Sequence, residues 1–226
     1  MEIKNTNNVV FDGVKILVYG QAGATKTRNI LSLPSPFIVS VEGGLLSIAD
    51  SNINYVEVKN MNDLREVHKW FTQSAEAKQY KSIAIDSITE LSELVLNVEK
   101  KNNKDGRAAY GEMNEKMAVV IRSFRDLRGI HVYMTAKLEK TQDEMGRVLY
   151  SPSMPGKTLT QELPYFFDEV FALRVEKDAD GDIKRGFLCD SDGLWLAKDR
   201  SGKLRQWEDA NIGKVIDKII GNKLEK

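Results

Sequence analysis

The sequence predicts an α/β fold: a mostly parallel, twisted sheet flanked by helices, with an antiparallel β-hairpin extension at its C-terminal end. Three observations predict it. Short apolar runs of strand length alternate with longer stretches whose apolar residues recur every three or four positions. The first such run ends in a glycine-bearing turn that leads to a lysine and a hydroxyl residue, the layout of a strand-to-helix phosphate loop. After residue 163 the alternation stops, and two strand-like runs flank a turn-rich segment. A chain of 226 residues suffices for one core of this kind. A single domain over residues 1–226 is therefore expected, with the core at about 12–176 and the extension at about 177–226.

Taken in order, residues 14–19 read as the first strand. Gly20, Gln21, Ala22, Gly23, Ala24, Thr25, Lys26 and Thr27 follow, then Arg28, and a helix should begin here. The pattern is G-x-x-x-x-G-K-[ST] with Thr25 where the second glycine belongs. Such a loop turns backbone N–H groups toward an anion at a helix N-terminus. Lys26 would reach the outer phosphates of a nucleotide, and the Thr27 hydroxyl would hold Mg²⁺. Thr25 is the departure, since a β-branched residue replaces the type that tolerates positive φ. The alternative is an ordinary glycine-containing turn.

Strands are expected at 37–41, 55–58, 82–85 and 131–136. Helical faces run through Leu64, Val67 and Phe71 after Asn62 as N-cap, and through Leu91, Leu94, Val95 and Val98. The strongest stripe runs through Met113, Met117, Val120, Ile121, Phe124 and Leu127. The segments 102–111 and 139–157 read as mobile loops. Further on, 169–176 and 184–190 flank the turn 178–182, then come a short strand at 194–197 and a helix at about 210–220.

Two strands end in acids. Asp86 closes 82–85, and at the carboxyl end of a parallel strand it either orders the water shell of Mg²⁺ or caps the next helix. Glu42 follows 37–41 and sits at the same sheet edge, as the group that polarises the water attacking a γ-phosphate or as an exposed loop acid.

Composition bounds the partners. Lys+Arg and Asp+Glu both number 33, which argues against a globally basic nucleic-acid coat while leaving local basic loops open. Cys189 is the single cysteine, so no internal disulfide forms, as suits a reducing compartment. No apolar run reaches the roughly 20 residues of a membrane span, and no signal segment is visible, so a soluble cytoplasmic protein without membrane contact is expected. No Cys or His stands at metal-ligand spacing from His68 or His131.

On the phosphate loop, the Val41-Glu42-Gly43-Gly44 strand end and the Ile85-Asp86-Ser87 strand end, the chain resembles a RecA-type ATPase core over about residues 14–204. More narrowly it is similar to phage-encoded RecA-like proteins that assist single-strand annealing and recombination. That resemblance implies ATP and Mg²⁺ as cofactors, with Lys26 and Glu42 in catalysis and Thr27 and Asp86 on the metal. It implies a γ-phosphate sensor at Thr135 or Lys137, although the family's glutamine is missing there. It also implies two loops that bind single-stranded DNA: Lys100, Lys101, Lys104, Arg107 and Tyr110 in one, Lys140 and Arg147 in the other. Lys198 and Arg200, spaced i and i+2, would face the nucleotide of a neighbouring subunit, as catalytic cations in a filament or ring.

The expected function is therefore a Mg-dependent, DNA-stimulated ATPase that acts on single-stranded DNA in phage recombination, annealing or replication. A single-strand-binding protein is an expected partner and the host cytoplasm the expected location. Two alternatives stand beside it: a degenerate nucleotide-binding scaffold, motivated by Thr25, and a P-loop protein that remodels a protein partner in the manner of a helicase loader.

Overall fold

The computed structural model describes residues 5, 12–177 and 180–221. One sheet of ten strands organises them. Its centre is parallel: β1 (Lys15–Gly20) lies between β5 (His131–Gln142) and β7 (Glu169–Lys177), and β5 is followed by β4 (Ser82–Asp86), β2 (Pro36–Ser40) and β3 (Tyr55–Glu57). These strands carry near-continuous apolar runs because both sheet faces are covered. Along β1 the side chains alternate between two cores: Leu17 and Tyr19 enter one, Ile16 and Val18 the other.

The first core is closed by α1 (Met61–Gln73), α2 (Ile88–Asn102) and α3 (Gly106–Arg125), and the second by short 3₁₀ turns and α5 (Ile212–Ile220). Ile212, Val215, Ile216, Ile219 and Ile220 form the buried stripe of α5 at helical spacing. On the C-terminal side, β8 (Ile183–Leu188) pairs antiparallel with β7, and β10 (Trp207–Asp209) with β8, as the expected extension requires. Of the hairpin tip at 178–182, Asp178 and Ala179 lie outside the described residues.

Several expectations are corrected. The element after the phosphate loop is a six-residue 3₁₀ helix, Thr27–Ser32, because Pro34 and Pro36 stop it and start β2. Helix α1 is capped by Asn60, not Asn62, through a capping box closed with Asp63. The N-cap of α2 is Ser87. The segment 102–111 is no loop: only 103–105 separates α2 from α3, whose side chains Ala109 and Met113 are buried. Segment 139–157 is mostly a hairpin, in which the far half of β5 pairs with β6 (Val148–Pro152) around a tight turn at Asp143. It leads to the short α4 (Lys157–Glu162). Residues 194–197 make one bridge, Trp195 to Tyr150, and the ladder resumes in β9 (Lys198–Asp199) against β7.

Candidate functional site

All six residues of β1 are buried, so the strand delivers the chain rigidly to Gly20. A Cβ on Gly20 would sit 2.7 Å from the Leu173 carbonyl oxygen, so the first position of the loop admits only glycine. The chain then turns through two positive φ angles, 74° at Gly23 and 79° at Thr25. Thr25 therefore takes up the conformation that the missing glycine would supply, at a cost of roughly 1–2 kcal/mol. Asn29, buried under the loop, braces it: its backbone N–H meets the Thr25 and Lys26 carbonyls at 3.2 Å, and its amide donates to Thr25 O at 3.1 Å. Nothing in the sequence marks Asn29 for this task.

Among the described residues, the backbone N–H groups of Ala22, Gly23, Thr25 and Lys26 find no acceptor within the chain. Unpaired N–H groups gathered on one turn form an anion cradle. Lys26 folds back over it, its ammonium donating to Gly20 O at 2.8 Å and Gln21 O at 3.0 Å. Burial lowers the Lys26 pKa, and the Asp86 and Glu42 carboxylates oppose that shift.

The two strand-end acids come to the same edge. Thr27 Oγ1 donates to Asp86 Oδ2 at 2.6 Å, and Thr135 Oγ1 donates to Asp86 Oδ1. Both carboxylate oxygens are thereby aimed by hydroxyls, one from the 3₁₀ helix after the loop and one from β5. Ser87, joined to Asp86 by a cis peptide bond, donates its hydroxyl to Glu42 Oε1. Together the loop residues 20–28, Glu42, Ser47, Asp86, Lys137 and Leu138 line a cleft of about 640 Å³.

The two side chains expected as sensors are placed differently. Thr135 is fully buried and committed to Asp86, whereas Lys137 stands opposite Gly20 in the β1–β5 register and lines the cleft. Its ammonium pairs with Glu90 and with Glu93 at 3.3 Å, both on α2. Ser47 was not legible in the sequence, because it reaches the cleft from a 3₁₀ turn that carries no motif.

Lys198 and Arg200 are not brought to the cleft. Strand β9 ends at Asp199, and it pairs with the start of β7, beside Ile16 rather than Gly20. The Lys198 ammonium caps the Pro164 and Phe167 carbonyls at 2.6 Å each, and Arg200 pairs with Asp168 at 2.8 Å. Within the chain the two cations brace segment 164–169, and the nucleotide expected to meet them is that of a neighbouring subunit.

The expected DNA-contacting residues separate into two groups. Lys100 and Lys101 end α2, Lys104 lies in the turn, and Arg107 and Tyr110 begin α3, so a basic, exposed helix corner takes the place of a loop. The Lys100 ammonium stands 5.4 Å from the Tyr110 ring. Lys140 is exposed on the β5–β6 hairpin, and Arg147 at its turn is paired with Asp143 at 2.8 Å.

His131 accepts from Val14 N–H through Nδ1, and burial pushes its pKa down to about 4, a structural role. Among the described residues no group of three or more His, Cys, Asp or Glu side chains is placed to hold a metal ion, and no helix is long and apolar enough to cross a membrane.

The family profile described as "AAA domain" matches residues 12–201. No curated protein matches the chain. Among solved structures, a KaiC-like protein of the hyperthermophilic archaeon Pyrococcus horikoshii OT3 is 16% identical, with 78% of each chain covered and a TM-score of 0.45.

Proposed function

The chain belongs to the AAA-domain family, and on that premise we propose that it is a Mg²⁺-dependent ATPase whose turnover responds to single-stranded DNA. The observation that carries the reading is the shared cleft. One cavity collects the unpaired N–H groups of the loop, the Lys26 ammonium, the hydroxyl-aimed Asp86 and the Glu42 carboxylate.

The donor set fits magnesium. A threonine hydroxyl beside one carboxylate is a hard, oxygen-only pair, and Mg²⁺ completes such sites with water and phosphate oxygens instead of further acids. When bound, the ion would neutralise charge across the outer phosphates, with Thr27 and Asp86 as its protein side. The chain's own groups do the rest. The N–H groups of Ala22, Gly23, Thr25 and Lys26 hold phosphate oxygens, and Lys26 leaves the Gly20 and Gln21 carbonyls for the β- and γ-phosphates. Lys137 leaves Glu90 and Glu93 for the γ-phosphate. Glu42, fixed through one oxygen by Ser87, turns the other toward the attacking water.

The helix corner at 100–110 supports the DNA part of the reading, with four cations beside an aromatic ring. The test is ATP turnover and equilibrium MgATP binding on the purified chain, with and without single-stranded DNA, with mass measured in each state. Wild type is expected to bind MgATP and to turn it over faster with DNA. Lys26→Ala should weaken binding about 100-fold, the loss of charged contacts to phosphate, with an unchanged circular dichroism spectrum. Equal binding by Lys26→Ala would refute the phosphate-loop assignment, and turnover indifferent to DNA would refute the DNA assignment.

A further inference from the structure

We infer that Tyr133 is a positioning residue of the phosphate loop: its hydroxyl holds the Lys26 carbonyl and so sets the peptide that carries Thr27. The inference rests on the phosphate-loop reading above and adds what fastens that loop to the sheet.

Tyr133 lies on β5 and is fully buried, so its hydroxyl must find a partner inside the protein. That partner is in the loop. Tyr133 Oη donates to Lys26 O at 2.8 Å, across 107 positions of the chain. Burial, reinforced by the Asp86 charge, pushes the Tyr133 pKa well above its ordinary value, so the hydroxyl keeps its proton and remains a donor. The Lys26–Thr27 peptide is trans, and in a trans peptide the carbonyl and the following N–H point to opposite sides. A carbonyl drawn to Tyr133 therefore turns Thr27 N–H away from it, and this N–H finds no acceptor among the described residues. Thr27 is thus fixed twice, through the Tyr133 bond to the preceding carbonyl and through its own hydroxyl on Asp86 Oδ2 at 2.6 Å.

The strand register explains why β5 can do this. Side chains two apart on a strand share a face, and Tyr133, Thr135 and Lys137 stand opposite Ile16, Val18 and Gly20 of β1. Along this one face Tyr133 holds the loop, Thr135 donates to Asp86 and Lys137 lines the cleft. The loop and the metal-side carboxylate are thereby set against the same strand. Tyr19 supplies the contrast. It too is fully buried on a central strand, but it enters the other core. Its hydroxyl meets the Leu196 and Tyr150 carbonyls at 2.7 and 3.2 Å, and neither residue lines the cleft.

The experiment measures dissociation constants for ATP and inorganic tripolyphosphate, each with Mg²⁺, and the urea midpoint, on the full chain and on Tyr133→Phe and Tyr19→Phe. Phenylalanine keeps the ring in each core, and in Tyr133→Phe the Lys26 carbonyl retains its bond from Asn29 N–H at 3.2 Å, so both variants should fold. Tyr133→Phe should weaken both ligands by one common factor of about five, the worth of a single neutral hydrogen bond. The factor is common because the hydroxyl acts on the loop that holds the phosphates. Tyr19→Phe should lower the urea midpoint by a comparable amount and leave both affinities near wild type. Wild-type affinities in Tyr133→Phe, a loss confined to ATP, or equal weakening in the two variants overturns the inference while the phosphate-loop reading stands. If the wild-type chain binds neither ligand, the phosphate-loop reading fails, and this inference with it.

Discussion

Lys15 opens β1, and Lys26 folds back on Gly20, which closes the same strand. The two are alike in most local respects. Each ammonium sits on backbone carbonyls: Lys15 on Asp12, Leu127 and Ile130 at 2.7–2.9 Å, Lys26 on Gly20 and Gln21. Burial lowers the pKa of both, and it does the same to Lys198, which caps Pro164 and Phe167. The difference lies in what shares the space. Lys15 and Lys198 are spent on those carbonyls, and neither lines the cleft. Around Lys26 lie unpaired N–H groups, two positioned carboxylates and an open cleft. A lysine on carbonyls is thus ordinary capping of chain turns. Backbone donors without acceptors in the same cavity are what mark a binding site.

The comparison can be broken most forcefully at Glu42. Glu42→Gln keeps the side chain's size and its bond from Ser87, and it removes the charge that orients water. Turnover should fall about 10³-fold, with MgATP affinity within a few-fold of wild type, as steady-state and binding measurements will read. Normal turnover in this variant would remove the acid from the mechanism.

The opposite sheet edge should answer to pH instead of nucleotide. Glu169 is 1% exposed, its Oε2 has no hydrogen-bond donor among the described residues, and burial and the facing Asp199 carboxylate push its pKa up to about 8. The folded state keeps this proton to higher pH than the unfolded chain does. Its stabilising contribution is full below the unfolded value of about 4.5 and is lost as pH rises through about 8. The whole swing is on the order of 5 kcal/mol. Glu169→Gln should flatten the pH dependence of the melting temperature between pH 5 and 9, and an unchanged profile would place the titrating group elsewhere.

Lys15→Ala leaves three carbonyls without their donor, and a stability loss of about 3 kcal/mol is expected in urea titration. Its MgATP affinity, measured where the variant is fully folded, should stay near wild type, the reverse of Lys26→Ala. If both variants lose binding equally, the contrast between the two ends of β1 collapses.

The smallest effect is expected at Thr25. Thr25→Gly releases the β-branched side chain from φ 79°, which should raise stability by up to about 1 kcal/mol and increase turnover by easing approach to the phosphate. No gain in turnover would mean that the loop is unimpaired by its threonine.

Much of the parallel core was legible because it is written in local pattern. Strands buried on both faces need unbroken apolar runs, and 14–19, 37–41 and 82–85 are such runs. Other parts were hidden for identifiable reasons. Segment 138–142 is largely polar, so its pairing with β6 leaves no periodic trace, and Gly146 and Pro152 read as loop punctuation when they are hairpin turn and strand end. Gly106 and Gly111 lower the helix propensity at the start of α3, and the burial of Ala109 and Met113 overrules it. In the site, the loop and the two strand-end acids were legible, but Asn29, Ser47 and the roles of Thr135 and Lys137 were not.

By itself the sequence determined which strands end in the loop and in the two acids that share the cleft, because strand ends, turn glycines and the lysine–hydroxyl pair are all local signals. Tertiary structure alone decided which of two polar side chains on β5 meets the cleft, which cations are spent on carbonyls, and that a threonine holds a glycine's conformation. Those outcomes depend on register between strands distant in sequence and on whether a neighbour supplies a hydrogen-bond partner, and no local pattern encodes either.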